Sequence, residues 1–353
     1  MGRVAGPAKG SEKRRAIGPA DAVGPGTCRG GHELGKTDSA GAFPENEWAL
    51  ILGGSSGFGL ATAKRLARGG LNVLIVHRDR RGAMKDIQPH FDELAKMGVG
   101  FHTWNVDAIA ADKRLETIDE IARAIGPKGR IRVLMHSIAF GNLKLIAPEK
   151  ADPRTAGPHL AERLGVDPAK LTEIADELFD AGEDGLHPLT SAPEYPESSY
   201  LDEEDFARTI LSMGTSLLGW TQELFKRGLF APDTRIFGMT SEGNEVAWKG
   251  YAAVSAAKVS LEALSRSIAA EFGPHGIRSN VIQAGVTDTP ALRAIPGSTQ
   301  LKSQARLRNP GRRLTTPEDV AGVIYLLSLD EARWINGEVI RVDGGEHISG
   351  VTR

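Results

Sequence analysis

The sequence predicts an α/β domain built on a doubly wound parallel sheet, and three observations carry that prediction. Short, continuously apolar runs alternate with amphipathic helical stretches from Trp48 onward. Strands that are apolar at every position belong to a sheet covered on both faces. A glycine-rich turn, Gly53-Gly54-Ser55-Ser56-Gly57-Phe58-Gly59, joins the first apolar run to the first helix. With right-handed crossovers the fold is Rossmann-like, one domain with a helical insertion.

In order, WALILGG reads as a buried strand, GLATAKRLARGG as an amphipathic helix and NVLIVHR as the second strand. A helix from Met84 to Met97 leads to the third strand, GFHTWNV; ADKRLETIDEIARAIG is helical and IRVLMHSIA is the fourth strand. A helix from Asp205 to Arg227, the strand RIFGMTS, a long helix carrying Tyr251 and the strand RSNVIQAG follow. Near the end, Thr316, Pro317 and Asp319 form a helix start: a cap, a proline at the first helical position and the partner of a capping box. GEVIRVDGG is the last strand.

Two stretches stand outside this rhythm. Residues 1–45, rich in Gly, Pro and Ala and without a hydrophobic period, read as a disordered tail, with an organelle transit peptide as the alternative, ahead of a domain at 46–353. Residues 142–204 separate a strand from its next helix by far more than an ordinary connection. They hold a helical pair, HLAERLG and AKLTEIADELFDAG, and from Glu149 to Asp205 there are 16 acidic and 4 basic side chains. The insertion follows a strand's carboxyl end, where such sheets bind ligands. A substrate cap and a solvated decoration both fit that pattern.

Composition narrows the function classes. Of 353 residues, 43 are Lys or Arg and 45 Asp or Glu, so no global field points to nucleic acid or membrane. No apolar run reaches the roughly 18 residues of a membrane span. The lone cysteine, Cys28, excludes disulfides and thiolate metal sites within the chain; no metal site is expected, and a reducing cytoplasm fits.

The chemistry concentrates in three places. The glycine turn lets backbone approach a pyrophosphate at a helix N-terminus. The second strand ends in His77-Arg78-Asp79-Arg80-Arg81, a basic end that favours the 2′-phosphate of NADPH over NADH, with Asp79 beside it as an acceptor for a ribose hydroxyl. Tyr251 and Lys258, seven positions apart, share one helix face two turns apart, with the phenol as a proton donor beside a nicotinamide.

From Trp48 to the C-terminus, the insertion apart, the chain resembles the short-chain dehydrogenase/reductase superfamily. The matching residues are GxxxGxG at Gly53, Gly57 and Gly59, GPHGIRSNVIQAGVTDTPA from Gly273, and VDGG at Val342 to Gly345. Most members carry Tyr-x3-Lys, but Val254 occupies that tyrosine position. Tyr-x6-Lys is similar to the enoyl-acyl-carrier-protein reductase branch, as are HSIAFG at His136 and QAG at Gln283. GxxxGxG combined with Tyr-x6-Lys resembles the NADPH-dependent type III enoyl reductases most.

That resemblance implies roles by position. Tyr251 binds the thioester carbonyl and Lys258 the nicotinamide ribose. The cofactor lies against Gly53, Ser55, Ser56, Gly57, Phe58 and Gly59, with Arg78 at the phosphate, Asn105 and Val106 at the adenine, Ser137, Ile138 and Ala139 at the ribose, and Gly285, Thr287 and Thr289 at the carboxamide and phosphate. The chain departs from the pattern at three positions. Ser241 stands where the common enoyl reductases have a second tyrosine and where ordinary reductases keep a catalytic serine. Met213 replaces the superfamily's helix asparagine, and Ser56 a basic residue of type III relatives. The implied activity is NADPH-dependent reduction of an enoyl thioester held on a carrier protein or a small molecule. The alternatives are a carbonyl or 3-oxoacyl reductase using Ser241 and a non-catalytic NADP-binding protein. Lys144, Arg227, Arg306, Arg308, Arg312 and Arg313 are the candidate docking charges for an acidic carrier, and a homotetramer is the implied assembly.

Overall fold

A computed structural model describes residues 42–148, 156–195 and 200–350. Seven strands form one parallel sheet in the order β3-β2-β1-β4-β5-β6-β7. They are β1 (Glu47–Leu52), β2 (Asn72–His77), β3 (Phe101–Asn105), β4 (Arg130–His136), β5 (Phe230–Ser241), β6 (Ile277–Ala284) and β7 (Val339–Val342). Strand order reverses between β1 and β4, which opens a crevice at their carboxyl ends.

The continuous apolar runs are explained by what covers them. β1 is buried at all six residues. One face of the sheet packs on α1 (Gly57–Arg68), α2 (Met84–Ala95) and α11 (Pro317–Ser328) through Ala63, Leu66, Phe91 and Ile324. The other packs on α3 (Ala111–Ile125), α7 (Ser216–Lys226) and α8 (Ala252–Phe272) through Ile118, Ile121, Trp220 and Leu261. The capping box at Thr316 and Asp319 forms as expected.

Three sequence expectations change. Phe43, assigned to the tail, is buried and meets Tyr325 edge-on at 6.0 Å, because an aromatic ring beside α11 is worth more inside than out; the folded unit therefore includes 42–45. Residues 1–41, with Cys28, lie outside the described residues. The single helix expected over Asp205 to Arg227 is α6 (Glu203–Ile210) and α7 joined by a π-helical turn, Leu211–Thr215. Within that turn a Cβ on Gly214 would lie 2.8 Å from the Ala257 carbonyl, so α8 approaches here more closely than a side chain permits. Tyr251 is the N-cap of α8 and not a residue within it. The insertion contains the expected pair, α4 (Ala156–Leu164) and α5 (Pro168–Asp180), the second started by Asp167 accepting from the Ala169 N–H.

Candidate functional site

One cavity of about 990 Å³ runs along the carboxyl ends of the strands and continues beneath the insertion. Its dinucleotide end is built by the turn between β1 and α1. At Gly53, φ is +86° and a Cβ would fall 2.5 Å from the Ser137 carbonyl oxygen; at Gly59 a Cβ would fall 2.1 Å from the Gly53 carbonyl oxygen. Only glycine permits both approaches, and they seat the turn against the end of β4. Ser56 caps α1 without a side-chain bond to its first-turn N–H groups, leaving those donors to an anion. The cradle fits a pyrophosphate.

Gly53, Ser55, Ser56, Gly57 and Phe58 line this end, with Arg78, Val106, Ser137, Ile138, Ala139, Gly285, Thr287 and Thr289. Arg78 pairs with Asp107 at 2.9 Å and its guanidinium lies 4.4 Å over the ring centre of Phe140, also in the wall. Four expected positions differ. Gly59 is spent on the turn itself. Asn105 is exposed and spans Asp79, accepting from its N–H and donating to its carbonyl, both at 3.0 Å. Arg80 is not among the lining residues, and Asp79 turns its carboxylate to the buried His77 Nδ1 at 2.8 Å.

The reactive end is set by β5 and α8. Ser241 ends β5, Tyr251 caps α8, and their hydroxyls stand 3.2 Å apart. Lys258, two turns along and buried, donates from Nζ to the Met239 carbonyl at 2.8 Å. Glu262, one turn further, accepts from Thr240 at 2.5 Å and Asn244 at 2.7 Å, which ties the β5 exit to α8. Burial raises the Tyr251 phenol above its usual value, with Ser241 pulling it back. Burial lowers Lys258 to about 8, with Glu262 opposing.

His136 is the residue whose role sequence reasoning did not assign. It ends β4 fully buried, and its Nε2 lies 2.8 Å from Ser216 Oγ, which donates to the Ser212 carbonyl at 3.1 Å. Burial first, then the Lys258 charge, lower it to about 3, so it stays neutral. Its place in HSIAFG was the one available signal. Met213, in the π-helical turn, packs on Val254 and Ala257.

Each candidate docking charge has a partner within the fold. Arg306 pairs with Asp184, Arg308 with Glu242 and Glu346, Arg313 with Asp319, Lys144 with Asp205, and Arg227 with Asp119 and Glu223. Arg312 donates to the Leu307 carbonyl. Sequence shows a run of arginines but not the carboxylates that fold onto it.

Comparisons with known proteins agree with this architecture. A short chain dehydrogenase family model matches residues 47–149, and an Enoyl-(Acyl carrier protein) reductase model matches 190–347. An enoyl-[acyl-carrier-protein] reductase [NADH] of Bacillus cereus is 38% identical over 115 residues, 33% of this chain and 45% of the relative. The matched stretch thus spans under half of that protein. An uncharacterized oxidoreductase of Methylorubrum extorquens is 25% identical over 310 residues, 85% of this chain and 98% of the relative. A dehydrogenase/reductase from Sinorhizobium meliloti superposes with a TM-score of 0.62 at 21% identity, covering 86% of this chain and 96% of its own. A Burkholderia cenocepacia short chain dehydrogenase in complex with NADP gives 0.60 at 20% identity, covering 86% and 98%. An Anaplasma phagocytophilum enoyl-acyl-carrier-protein reductase in complex with NAD also gives 0.60 at 20%, covering 88% and 95%. At these identities the structures speak for the fold alone. With both halves of the sheet matched and the glycine turn, Tyr251 and Lys258 meeting in one cavity, the chain belongs to the short-chain dehydrogenase/reductase superfamily and is related to its enoyl-acyl-carrier-protein reductases.

Proposed function

We propose that this protein is an oxidoreductase that uses NADPH to reduce the 2,3-double bond of an enoyl thioester. The observation that carries the reading is the placement of the Tyr251 hydroxyl in the cavity, seven residues before a buried Lys258. The bound nicotinamide supplies the hydride to the β-carbon. Tyr251, un-ionised because burial raises it, donates a hydrogen bond to the thioester carbonyl oxygen, where negative charge develops as the enolate forms. Its proton then passes to the enolate. Lys258, fixed by the Met239 carbonyl, would hold the nicotinamide ribose hydroxyls with its remaining N–H donors, and its charge would favour the phenolate left behind. Arg78 supports NADPH, being the guanidinium in the cavity wall; the Bacillus cereus relative is named for NADH, so the choice rests on Arg78.

A second reading, a carbonyl or 3-oxoacyl reductase, is favoured by Ser241, whose hydroxyl joins Tyr251 as a second donor to a ketone oxygen. NADPH consumption with crotonyl and acetoacetyl thioesters side by side separates the two. Faster turnover of the crotonyl compound is expected, and preference for the acetoacetyl compound transfers the assignment to the second reading. Assembly as a homotetramer belongs to the same proposal and is supported by the exposed apolar residues Leu211 and Val259 beside the site; sedimentation reads it directly.

A further inference from the structure

The insertion is the one part of the folded unit that the strand–helix plan does not require. After its helical pair, residues 184–195 cross α10 (Ser298–Arg308) and are fastened to it repeatedly. Asp184 presents both carboxylate oxygens to Arg306, whose Nε stands at 2.6 Å. The Asp184 carbonyl accepts from the fully buried Ser303 hydroxyl at 2.8 Å. Gln300 reaches the Thr190 hydroxyl and the Ser191 carbonyl at 3.4 Å, and a Cβ on Gly297 would fall 2.8 Å from the Pro193 ring. From the same stretch His187, Pro188, Pro193 and Tyr195 form cavity wall, in one enclosure with Tyr251 and Leu301.

The exposed surface of the insertion carries an excess of carboxylates, with Ile174 and Leu178 exposed among them. Glu173, Glu177, Asp180 and Glu183 are exposed there, and residues 156–195 hold nine carboxylates against Arg163 and Lys170. The arginines that would offset this field toward an acidic partner are paired internally. Like-charge juxtaposition disfavours an encounter and slows association.

We propose that residues 184–195 are the specificity-determining wall of the acyl chamber, latched to α10 by Asp184 and Arg306, and that the chamber serves acyl groups on small, freely diffusing thiols in preference to an acidic carrier protein. This rests on the thioester reading above. The latch sets the depth available to the acyl chain, and the acidic surface selects how the chain arrives.

The test uses the full chain. Reduction of one enoyl group is compared on N-acetylcysteamine and on an acidic carrier protein, with NADPH. A kcat/KM at least about tenfold higher for the small thioester, the gap narrowing as salt screens the repulsion, is expected. Equal or better use of the carrier-bound substrate overturns the delivery claim. Binding of saturated C4 and C12 N-acetylcysteamine thioesters to the NADPH-loaded protein is measured for wild type, Asp184→Asn and Gln300→Ala. A change of about tenfold or more in the C12 to C4 affinity ratio, with NADPH affinity unaltered, supports the wall. An unchanged ratio, or loss of NADPH affinity in both variants, overturns it. Because these ligands cannot be reduced, failure of the thioester-reductase reading leaves this readout intact.

Discussion

Ser241 Oγ and Tyr251 Oη stand 3.2 Å apart across the junction between the end of β5 and the start of α8. Two hydroxyls at that spacing present one pair of donors to a substrate oxygen, and which of them does the work separates the two proposed chemistries. Replacing Tyr251 by Phe is expected to lower kcat by about 10²–10⁴-fold, the usual worth of a positioned proton donor. The NADPH dissociation constant, read by fluorescence, should stay within about threefold. Ser241→Ala should cost less than about tenfold on crotonyl thioester; a loss of about a hundredfold would mean that the serine acts as a second donor.

Lys258 sets a pH limit. Its buried ammonium is lowered to about 8, so the charged form dominates below that pH and is lost above it. The kcat/KM for NADPH, which reports groups of the free enzyme, should be level below about pH 8 and fall up to about tenfold per pH unit above it. Lys258→Arg keeps the charge and should abolish that limb. A limb that persists in the arginine variant assigns it to another group.

The proposed preference for NADPH turns on Arg78, which is paired with Asp107 over Phe140 and lines the cavity. A charge-assisted contact to a phosphate is worth about 1.5–3 kcal/mol. Arg78→Ala should therefore raise KM for NADPH by roughly 10–100-fold and for NADH by less than about threefold. Equal loss with both cofactors would remove Arg78 from the 2′-phosphate and reopen the preference.

His136 makes a stability prediction. Its folded value, about 3, lies below the 6.5 of an unconstrained imidazole. The unfolded chain therefore takes up a proton that the folded chain refuses. The contribution is complete above pH 6.5 and is lost as pH falls toward 3. A shift of that size corresponds to about 4–5 kcal/mol across the window. Thermal unfolding of His136→Gln should fall less steeply than wild type between about pH 7 and 4.5. Parallel curves would show that His136 carries a proton in the fold.

The sequence by itself determined the sheet, the glycine turn, the capping box at Thr316 and Asp319, and the two-turn spacing from Tyr251 to Lys258. Each is written in neighbouring residues: a strand's unbroken apolar run, a glycine where backbone meets backbone, a capping residue three positions from its partner. Tertiary structure decided how the charges are used. Arg306 and Asp184 are 122 positions apart and Arg308 and Glu242 66 apart, so the docking arginines looked free in the sequence and are paired in the fold. The same holds for Asn105, which reads as an adenine contact and is committed to Asp79. His136 is neutral and the Lys258 ammonium is lowered to about 8 because both are withdrawn from water, and desolvation exists only once the chain has folded around them. The insertion reads as an acidic interruption until Asp184, Thr190 and Ser191 meet Arg306, Ser303 and Gln300 of α10, more than a hundred positions away, while His187, Pro188, Pro193 and Tyr195 line the cavity.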